Sequence, residues 1–470
     1  MRSRLRTIAI IGGGFCGTVL AAALLRRPPL QPCRIVLIER REQVGRGVAY
    51  RRSRYRPLLN VPAGRMSADA GDPLQFARFA QPENPAGAAR RFLPRELYGE
   101  YLQDLLRQSV QAAPAHVGFE RLRAEATAIH RIDMTGPYLI GLSAQRQLLA
   151  DQVVLACGDP PPIEPAIAAN VARHPHYRCD PHCDGAVAAD GNCLLLIGTG
   201  LTMVDVAIAA AAQNPHIEIH AISRHGLLPA VQAAVPVHGT GRAAPDRDFL
   251  SYLGAGALSA PGLLRAFRAL LRDLGQAGGD WRDAVNEVRA AAPTLWHRLA
   301  VAERARFLRH LRVYWDVHRH RMPAEVGERL DALRCAGRLR IHAGNVLRID
   351  AAAGGALRVR WRRRGAARAS TSELAVDRVM VCAGTDQRLS RTRDPLMRAL
   401  MAAGLAVADP LGLGWRTGAH GALIDRDGRP AAHLFYLGPM LRADYWETTA
   451  VGELRVHAQQ LATALARIDA

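Results

Sequence analysis

The sequence has 470 residues, which is enough for two or three domains with substantial hydrophobic cores. Its formal net charge is +20, but the chain contains no lysine, so every basic residue in that count is an arginine. The absence of lysine excludes Schiff-base chemistry on a protein side chain. Because arginine is spread along the whole chain, we interpret the charge as compositional and expect neither a nucleic acid nor a membrane as partner. A polyanion-binding patch at residues 358–368 is the alternative.

The first predicted structural unit runs from Thr7 to Glu39 and consists of a strand, a tight glycine turn, a helix and a second strand. The turn contains Gly12, Gly14 and Gly17 at the spacing of a dinucleotide-binding βαβ unit. We expect Gly12 to permit the tight turn, Gly14 to let the backbone approach a diphosphate, and Gly17 to let the helix pack closely on the strand. Glu39 lies 22 residues after Gly17, where a carboxylate binds a ribose hydroxyl.

The arginines and the alanine-rich segment near the N-terminus also resemble a secretory signal peptide. The glycines at 12–14 interrupt the apolar segment, and Arg26 and Arg27 close it. We therefore reject export and expect a cytoplasmic protein. No other apolar run in the sequence approaches the roughly 18 residues that a membrane-spanning helix needs.

Two loops follow Glu39 along the sequence. Residues 40–50 contain Gly47 and other small residues, which suit a loop that lets a flat ligand approach the backbone. Residues 58–67 place polar groups between apolar ones. For this second loop we keep both interpretations, a ligand-binding loop and a structural turn.

The remaining part of the first unit is predicted to be a helix and a small sheet. Residues 92–106 predict a turn followed by a helix, because apolar positions recur three and four apart. Residues 124–155 alternate in hydrophobicity, which predicts antiparallel strands. The last strand closes at Ala156 and Gly158, small residues that let the chain pass beneath a bound cofactor.

A second strand, glycine turn and helix then repeat the opening pattern. Gly198 and Gly200 match the first two glycines, while Met203 replaces the third, so we expect helix and strand to lie slightly further apart here. The next strand ends at Ser223, 23 residues after Gly200, without a carboxylate. Arg224 follows, and arginine at this place suits a 2′-phosphate, which favours NADPH over NADH; an unrelated surface arginine is the alternative.

Residues 241–336 have a helical pattern. Pro293 and Pro323 are placed to begin helices, and Gly337 to end one. Residues 315–322 contain a dense group of titratable side chains. We keep two interpretations of this group, a structural polar layer and a catalytic centre.

Strands return in the last part of the chain. Residues 378–385 repeat the pattern of residues 153–159 and place Gly384 at the end of a buried strand. A later strand ends at Gly438. The final helix follows Thr448 and Thr449, whose hydroxyls are placed to cap it.

The eight cysteines do not predict a disulfide framework, and without a Cys-x-x-Cys pair a dithiol flavin-reductase mechanism lacks its redox centre. The loop at 174–183 combines histidines and cysteines in a way that resembles a metal cluster. Its spacing matches no standard zinc pattern, so we expect no metal.

Two dinucleotide motifs, each followed by a strand that closes in a small residue and glycine, resemble the two-dinucleotide-binding-domain flavoproteins. The sequence is most similar to a largely uncharacterised bacterial family of FAD/NAD(P)-binding proteins, over nearly its whole length. The similarity is carried by residues 11–17, 46–50, 59–67, 92–101, 198–205, 314–323 and 438–451. It implies an α/β fold of two Rossmann-like domains, one for FAD and one for NADPH, with a helical insertion.

The domain boundaries expected from this resemblance are 1–190 and 370–470 for the FAD domain, 191–240 and 337–369 for the NAD(P)H domain, and 241–336 for the insertion. The expected cofactor-binding residues are Gly12, Gly14, Phe15, Cys16, Gly17, Glu39, Arg40, Gly47, Ala156, Gly158, Gly198, Gly200, Thr202, Ser223, Arg224, Gly384, Gly438 and Thr448. The N-terminus of the last helix is expected to receive the carbonyl side of the flavin ring. The candidate catalytic residues are Asn60 and Arg65, on a loop near the expected flavin, and Glu447, just before that helix.

The leading functional hypothesis is an FAD-dependent oxidoreductase that draws hydride from NADPH and oxygenates a small molecule, as the similar N-hydroxylating monooxygenases do. Related flavin monooxygenases carry a Phe-x-Gly-x-x-x-His fingerprint before the second glycine motif, and this sequence lacks it. Cys16 also stands where the family has serine or alanine. A reductase without oxygenation and a non-catalytic nucleotide-sensing flavoprotein are therefore alternatives, and neither the substrate nor the oligomeric state follows from the sequence.

Overall fold

The computed structural model describes residues 5–53, 56–133, 136–182, 191–233, 248–254 and 256–467. In chain order the described strands are β1 (Arg6–Ile11), β2 (Cys33–Glu39), β3 (Val117–Arg123), β4 (Ala126–Arg131), β5 (Tyr138–Leu142), β6 (Gln147–Ala150), β7 (Gln152–Leu155), β8 (Tyr177–Arg178), β9 (Cys193–Ile197), β10 (Glu218–Ser223), β11 (Leu339–Ala351), β12 (Leu357–Arg363), β13 (Ser372–Val376), β14 (Arg378–Val381), β15 (Ala422–Ile424) and β16 (Pro430–Tyr436). The described α-helices are α1 (Phe15–Arg26), α2 (Gln75–Ala80), α3 (Pro85–Ala89), α4 (Arg95–Gln111), α5 (Leu201–Gln213), α6 (Ala260–Gln276), α7 (Trp281–Arg298), α8 (Val301–His310), α9 (Arg312–Arg319), α10 (Ala324–Cys335), α11 (Pro395–Ala402), α12 (Arg442–Tyr445) and α13 (Val451–Arg467).

The first large sheet has the strand order β15-β16-β7-β1-β2-β3, with β1 at its centre. Strands β16, β7, β1, β2 and β3 are parallel, and β15 is antiparallel at the edge. Alternate residues of β1 face opposite sides of the sheet. Ile8 and Ile10 pack in a core with α1, α4 and α13, whereas Ala9 and Ile11 pack against the small antiparallel sheet β4-β5-β6 and α11.

The second large sheet has the order β13-β12-β11-β10-β9-β14-β8. Its five strands from β11 to β8 are parallel, and β11 continues beyond them into an antiparallel hairpin with β12 and β13. Helices α5 and α10 cover one face, where Met203 and Leu330 are buried together. The predicted α/β fold with two Rossmann-like units is confirmed by this pair of sheets.

The sheet pairing corrects the expected domain boundaries. Strand β8 was expected in the first domain, as were β13 and β14 after residue 370, but all three hydrogen-bond in the second sheet. Helix α10 was expected in the insertion, but it packs on α5 and β11 as a crossover helix of the second unit. Sequence spacing alone could not reveal these pairings, because they are contacts between distant segments. The expected limits at residues 190, 240 and 241 lie outside the described residues.

Helices α6 to α9 form the inserted helical layer. Helices α6 and α7 bury Leu270 and Leu295 against each other. Pro293 lies inside α7 and does not begin a helix; Asp280 caps α7 instead by accepting a hydrogen bond from Arg282 N. Pro323 does precede α10 as predicted. Among the residues that the structure describes, no helix is both long enough and apolar enough to cross a membrane.

Candidate active site

The first glycine turn is closed at the carboxyl end of β1. Gly12 has φ +109°, and its N–H donates to Ile38 O at 2.8 Å. A Cβ atom on Gly12 would lie 2.5 Å from Ala156 O, and one on Gly17 would lie 1.8 Å from Gly12 O. Both positions therefore require glycine, as the sequence predicted.

Gly14 and Gly47 face each other across this turn. Gly14 is the N-cap of α1, makes no side-chain cap, and is followed by a first turn without acidic residues. Gly47 has φ +51°, and a Cβ atom there would lie 3.3 Å from Gly14 Cα. The backbone N–H groups of Phe15 and Cys16 belong to the first helical turn, which has no intrahelical acceptors. This N-terminus is thus suited to bind an anion through its backbone.

Glu39 lies at the end of β2 beside the glycine turn, with only 8% of its surface exposed. Its Oε2 accepts from Gly13 N at 2.7 Å and its Oε1 from Arg41 N at 2.9 Å. Each carboxylate oxygen can accept a further hydrogen bond, so a ribose diol remains chemically compatible with this position. Arg40, by contrast, is exposed and pairs with Glu125 at 3.1 Å, which directs its side chain towards the surface.

Tyr436 connects Gly158 and Gly438, two of the glycines expected to bind a cofactor, and was not among the residues predicted from the sequence. Its hydroxyl donates to Gly158 O at 3.1 Å and accepts from Met440 N at 3.2 Å. A Cβ atom on Gly438 would lie 2.6 Å from the same hydroxyl. Burial raises the pKa of Tyr436 well above its usual value, which keeps the phenol neutral. A buried tyrosine at the end of a strand gave no specific signal in the sequence.

The second glycine turn repeats the geometry of the first. Gly198 has φ +115°, and its N–H donates to Ile222 O at 2.8 Å. A Cβ atom on Gly198 would lie 2.5 Å from Cys382 O. Gly200 is the N-cap of α5 and faces open space. Strands β9 and β14 therefore hold this turn as β1 and β7 hold the first.

The predicted nicotinamide-nucleotide residues gather at the same end of the second sheet. Ser223 Oγ accepts hydrogen bonds from Thr199 Oγ1 at 2.8 Å and Gly226 N at 3.0 Å, so it is held in place. Arg224 is exposed beside it. Burial, together with the charges of Arg364 and Arg224, lowers the pKa of neighbouring His225. Thr202 lies in the first turn of α5, and Gly384 follows β14 with φ +80°.

Glu447 is fully engaged with the helical layer. Its Oε2 lies 2.9 Å from Arg319 Nε, and its Oε1 accepts from Trp315 Nε1 at 2.8 Å. Burial opposes ionisation of this carboxyl, but Arg319 and the other nearby positive groups, with the Trp315 hydrogen bond, hold its pKa below the usual value. The polar group at 315–322 thus includes a structural ion pair, and Glu447, predicted as a candidate catalytic residue, has both carboxylate oxygens bonded within the protein.

Two buried polar atoms in the segment before α13, Trp446 Nε1 and Thr448 Oγ1, have no hydrogen-bond partner among the described residues. Thr448 is 1% exposed, and no residue in the described part of the chain makes a hydrogen bond to its Oγ1. It therefore does not cap α13 as the sequence suggested. Asn60 accepts a hydrogen bond at its main-chain oxygen from Gln232 Nε2 at 3.3 Å. Arg65 ends a short 3-10 turn, and burial, with the charges of Arg289 and Arg319, lowers its pKa.

The histidine- and cysteine-rich loop makes structural contacts. The rings of His174 and His176 lie 5.4 Å apart, and His176 Nδ1 lies 3.0 Å from Gly355 O. Cys183 lies outside the described residues. Within the described ranges, no three metal-ligating side chains are grouped to hold an ion.

Comparison with known proteins supports this architecture. Residues 9–160 match a family described as FAD-NAD(P)-binding. An uncharacterised protein of Mycobacterium tuberculosis is 24% identical over an alignment that covers 97% of this chain and 95% of that protein. L-lysine 6-monooxygenase from Pseudomonas syringae aligns with a TM-score of 0.68 and 17% identity, over 99% of this chain and 100% of that chain. The cadaverine monooxygenase of Erwinia amylovora, bound to FAD, aligns with a TM-score of 0.67 and 11% identity, over 98% and 95% of the two chains.

The chain has the fold of the two-dinucleotide-binding-domain flavoproteins. The family match over residues 9–160 spans β1 to β7 and includes the glycine turn, Glu39 and Ala156. The first predicted dinucleotide-binding unit is thereby confirmed. In a doubly wound fold, ligands bind outside the carboxyl ends of the parallel strands, which is where both glycine turns lie.

Proposed function

We propose that this protein is an FAD-dependent oxidoreductase that takes hydride from NADPH and oxygenates a small molecule. The observation that carries the proposal is the duplicated glycine turn. Gly12 and Gly198 close the same backbone geometry at the carboxyl ends of two separate parallel sheets. Two such turns in one chain suit two dinucleotides, and hydride transfer between two dinucleotides is the chemistry that this arrangement serves.

The first site has features that fit FAD. The N-terminus of α1 offers backbone N–H groups to a diphosphate, and the gap between Gly14 and Gly47 would be narrowed by any side chain. Glu39 would accept a hydrogen bond from the ribose. The unpartnered Thr448 hydroxyl lies buried at the start of the C-terminal helical segment, where the polar edge of a flavin is expected. Bound FAD would supply the hydride acceptor.

The second site has features that fit NADPH. Gly200 is open to a diphosphate at the N-terminus of α5, and Thr202 is placed to donate a hydrogen bond there. Arg224 offers a planar guanidinium to a 2′-phosphate. Gly158 and Gly384 close the equivalent strands of the two units without side chains, which leaves room for the two nucleotides to approach each other.

Several independent features favour a small-molecule monooxygenase. The two structural relatives described above are named as monooxygenases of lysine and of cadaverine, which are small molecules. Cys16 is buried and Cys157 is half-buried, and burial raises the pKa of each thiol to about 12, so neither provides a reactive thiolate for a dithiol mechanism. The seven described cysteines are all free, which agrees with a cytoplasmic location.

The proposal can be tested on purified protein. We expect it to carry FAD, to be reduced by NADPH without oxygen, and to consume both NADPH and oxygen when its substrate is present. Formation of an oxygenated product separates a monooxygenase from a reductase, which would return all electrons as hydrogen peroxide. Colourless protein that does not take up added FAD would rule the proposal out.

A further inference from the structure

A group of five arginines, of which Arg319 and Arg321 are buried, lies beside Glu447. We call it the arginine cluster, and its members are Arg65, Arg282, Arg289, Arg319 and Arg321. They come from the loop near the predicted flavin, from α7, and from the end of α9 and the residues just after it. The cluster therefore joins the helical layer to the flavin-binding unit.

Three carboxylates neutralise only part of this charge. Arg282 pairs with Asp280 at 2.9 Å, Arg319 with Glu447 at 2.9 Å, and Arg289 with Glu453. In the described part of the chain, no carboxylate lies within salt-bridge distance of Arg65 or Arg321. Two guanidinium groups are thus left without a counter-ion.

Arg321 is the more unusual of the two because it is 5% exposed. Its Nη2 donates to Asn286 Oδ1 at 3.0 Å, a neutral acceptor, and its guanidinium carbon lies 5.8 Å from the centre of the Trp281 ring. Its Nε has no hydrogen-bond partner among the described residues. The neighbouring Arg319, 8% exposed, also has an unpartnered Nη2. Burying a guanidinium without a counter-ion is costly, so these donors, which have no partner among the described residues, point to a bound anionic ligand.

The position of the cluster relates it to the predicted flavin site. Arg319 is bonded to Glu447, which is adjacent in sequence to Thr448 and its free hydroxyl. Arg289 is paired with Glu453 on the first turn of α13. Arg65 belongs to the loop on the other side, which α13 contacts through Arg455 Nη1 and Ser67 O at 2.8 Å.

We propose that Arg321 and Arg65 bind a carboxylate group of the substrate, so that the substrate is a small organic acid or amino acid rather than a simple amine. This inference rests on the proposed oxidoreductase function, whose substrate it specifies. A planar guanidinium binds a carboxylate through two parallel hydrogen bonds, and the low dielectric of a buried site strengthens both. The same groups would disfavour a dication such as a free diamine, because like charges repel.

The first test uses two compounds that differ by one carboxylate. L-lysine and cadaverine have the same terminal amine, and only lysine carries the carboxylate. We expect lysine to stimulate NADPH oxidation by the FAD-loaded protein with a lower KM than cadaverine, by about ten- to a hundredfold. Arg321→Gln should remove that difference by raising the KM for lysine alone. Arg306→Gln, at an exposed arginine of α8, is the matched control.

A binding measurement keeps the inference testable if neither amine is a substrate. Calorimetric titration of the FAD-loaded protein with glutarate, a five-carbon dicarboxylate, is compared with cadaverine, the five-carbon diamine. We expect glutarate to bind at least tenfold more tightly to the natural protein than to Arg321→Gln. Cadaverine should bind neither of these two proteins. Arg65→Gln provides a second variant if Arg321→Gln does not fold.

The outcomes separate the two proposals. Absence of FAD or of NADPH-dependent reduction would contradict the proposed function. The carboxylate site is tested separately, because calorimetry measures the binding of glutarate and does not require turnover. Equal glutarate binding by the natural protein and by both variants overturns the carboxylate site. Binding of inorganic phosphate without any binding of glutarate also overturns it, because the site would then serve a phosphate group.

Discussion

Glu447 and Arg319 form an ion pair that is shielded from solvent on both sides. The distance between Arg319 Nε and Glu447 Oε2 is 2.9 Å, and the two side chains are 8% and 4% exposed. Trp315 Nε1 donates to the second carboxylate oxygen. Because Arg319 ends α9 and Glu447 precedes α13, the pair fixes the helical layer against the C-terminal segment.

Replacing Glu447 by glutamine should destabilise the protein. The substitution leaves the Arg319 guanidinium buried without its counter-ion, and breaking a buried pair in this way costs about 3–5 kcal/mol. The melting temperature should fall, and FAD content should fall with it. Glu125→Gln, which breaks the exposed pair with Arg40, is the control and should cost about 1 kcal/mol or less.

The same variant separates a structural from a catalytic role for Glu447. From the sequence alone, we predict that Glu447→Gln lowers turnover more than FAD content. The contacts of both oxygens instead favour parallel losses of stability, FAD and turnover. An unchanged melting temperature with a large loss of turnover would restore the catalytic interpretation.

The stability of the protein should also depend on His320. Burial, followed by the charge of Arg319, lowers the pKa of His320 from 6.5 to about 4. Below pH 6.5 the unfolded chain takes up this proton before the folded chain does, so the free energy of unfolding should decrease as the pH falls from 6.5 to 4. The decrease assigned to this group is about 1–3 kcal/mol. Chemical denaturation across this range should show a smaller decrease in the free energy of unfolding for His320→Asn than for the natural protein. His216→Asn, at an exposed position, is the control and should show the same decrease as the natural protein.

Gly17 should tolerate no side chain. A methyl group at this position would lie 1.8 Å from Gly12 O, a backbone atom of the turn itself. Gly17→Ala should therefore displace α1 from β1 and reduce both stability and FAD content. Gly275→Ala is the matched control, because Gly275 lies in helix α6 with open space around it, and alanine there should be neutral or stabilising by up to about 1 kcal/mol. Retention of full FAD content by Gly17→Ala would contradict the close packing.

Local pattern was sufficient to predict both glycine turns and the strands that carry them. The positive φ angles and close contacts of Gly12 and Gly198 are what their spacing required. The equivalence of residues 153–159 and 378–385 was also visible, because both are buried strands that close in glycine. Such features depend on a few consecutive residues.

The assignments that depend on distant contacts could not be read from the sequence. Strand β14 resembles β7 but pairs in the other sheet, and only the register with β9 reveals this. The partner of Glu447 lies 128 residues away, and the unpaired state of Arg321 depends on which carboxylates fold around it. The sequence around Pro293 predicts the start of a helix. Helix α7 nevertheless continues through Pro293, where it packs against α6.

The cysteines should differ in reactivity according to burial. Burial raises the pKa of Cys16 and Cys157 to about 12, whereas Cys335 is exposed. Because the thiolate is the reactive form, iodoacetamide at neutral pH should modify Cys335 much faster than the other two. Peptide mass spectrometry over a time course would measure this. Fast modification of Cys16 or Cys157 in the folded protein would reopen a thiol-based mechanism.

The last prediction concerns the choice between NADPH and NADH. Ser223 is fixed at the end of β10 by Thr199 and Gly226, and Arg224 lies exposed next to it. No carboxylate stands at the end of this strand to hold a ribose diol, as Glu39 does at the end of β2. A charged hydrogen bond from Arg224 to the 2′-phosphate contributes about 1.5–3 kcal/mol, which corresponds to about a ten- to a hundredfold preference for NADPH.

Arg224→Ala should remove most of this preference by raising the KM for NADPH, with little effect on NADH. Steady-state measurement of NADPH and NADH oxidation would check both values. Arg340→Ala is the control, since Arg340 is an exposed arginine on the adjacent strand that pairs with Glu218 at the opposite end of β10. Equal use of the two nucleotides by the natural protein would show that Arg224 does not contact the 2′-phosphate. A preference that survives in Arg224→Ala would instead point to Arg364, the other arginine whose charge lowers the pKa of His225.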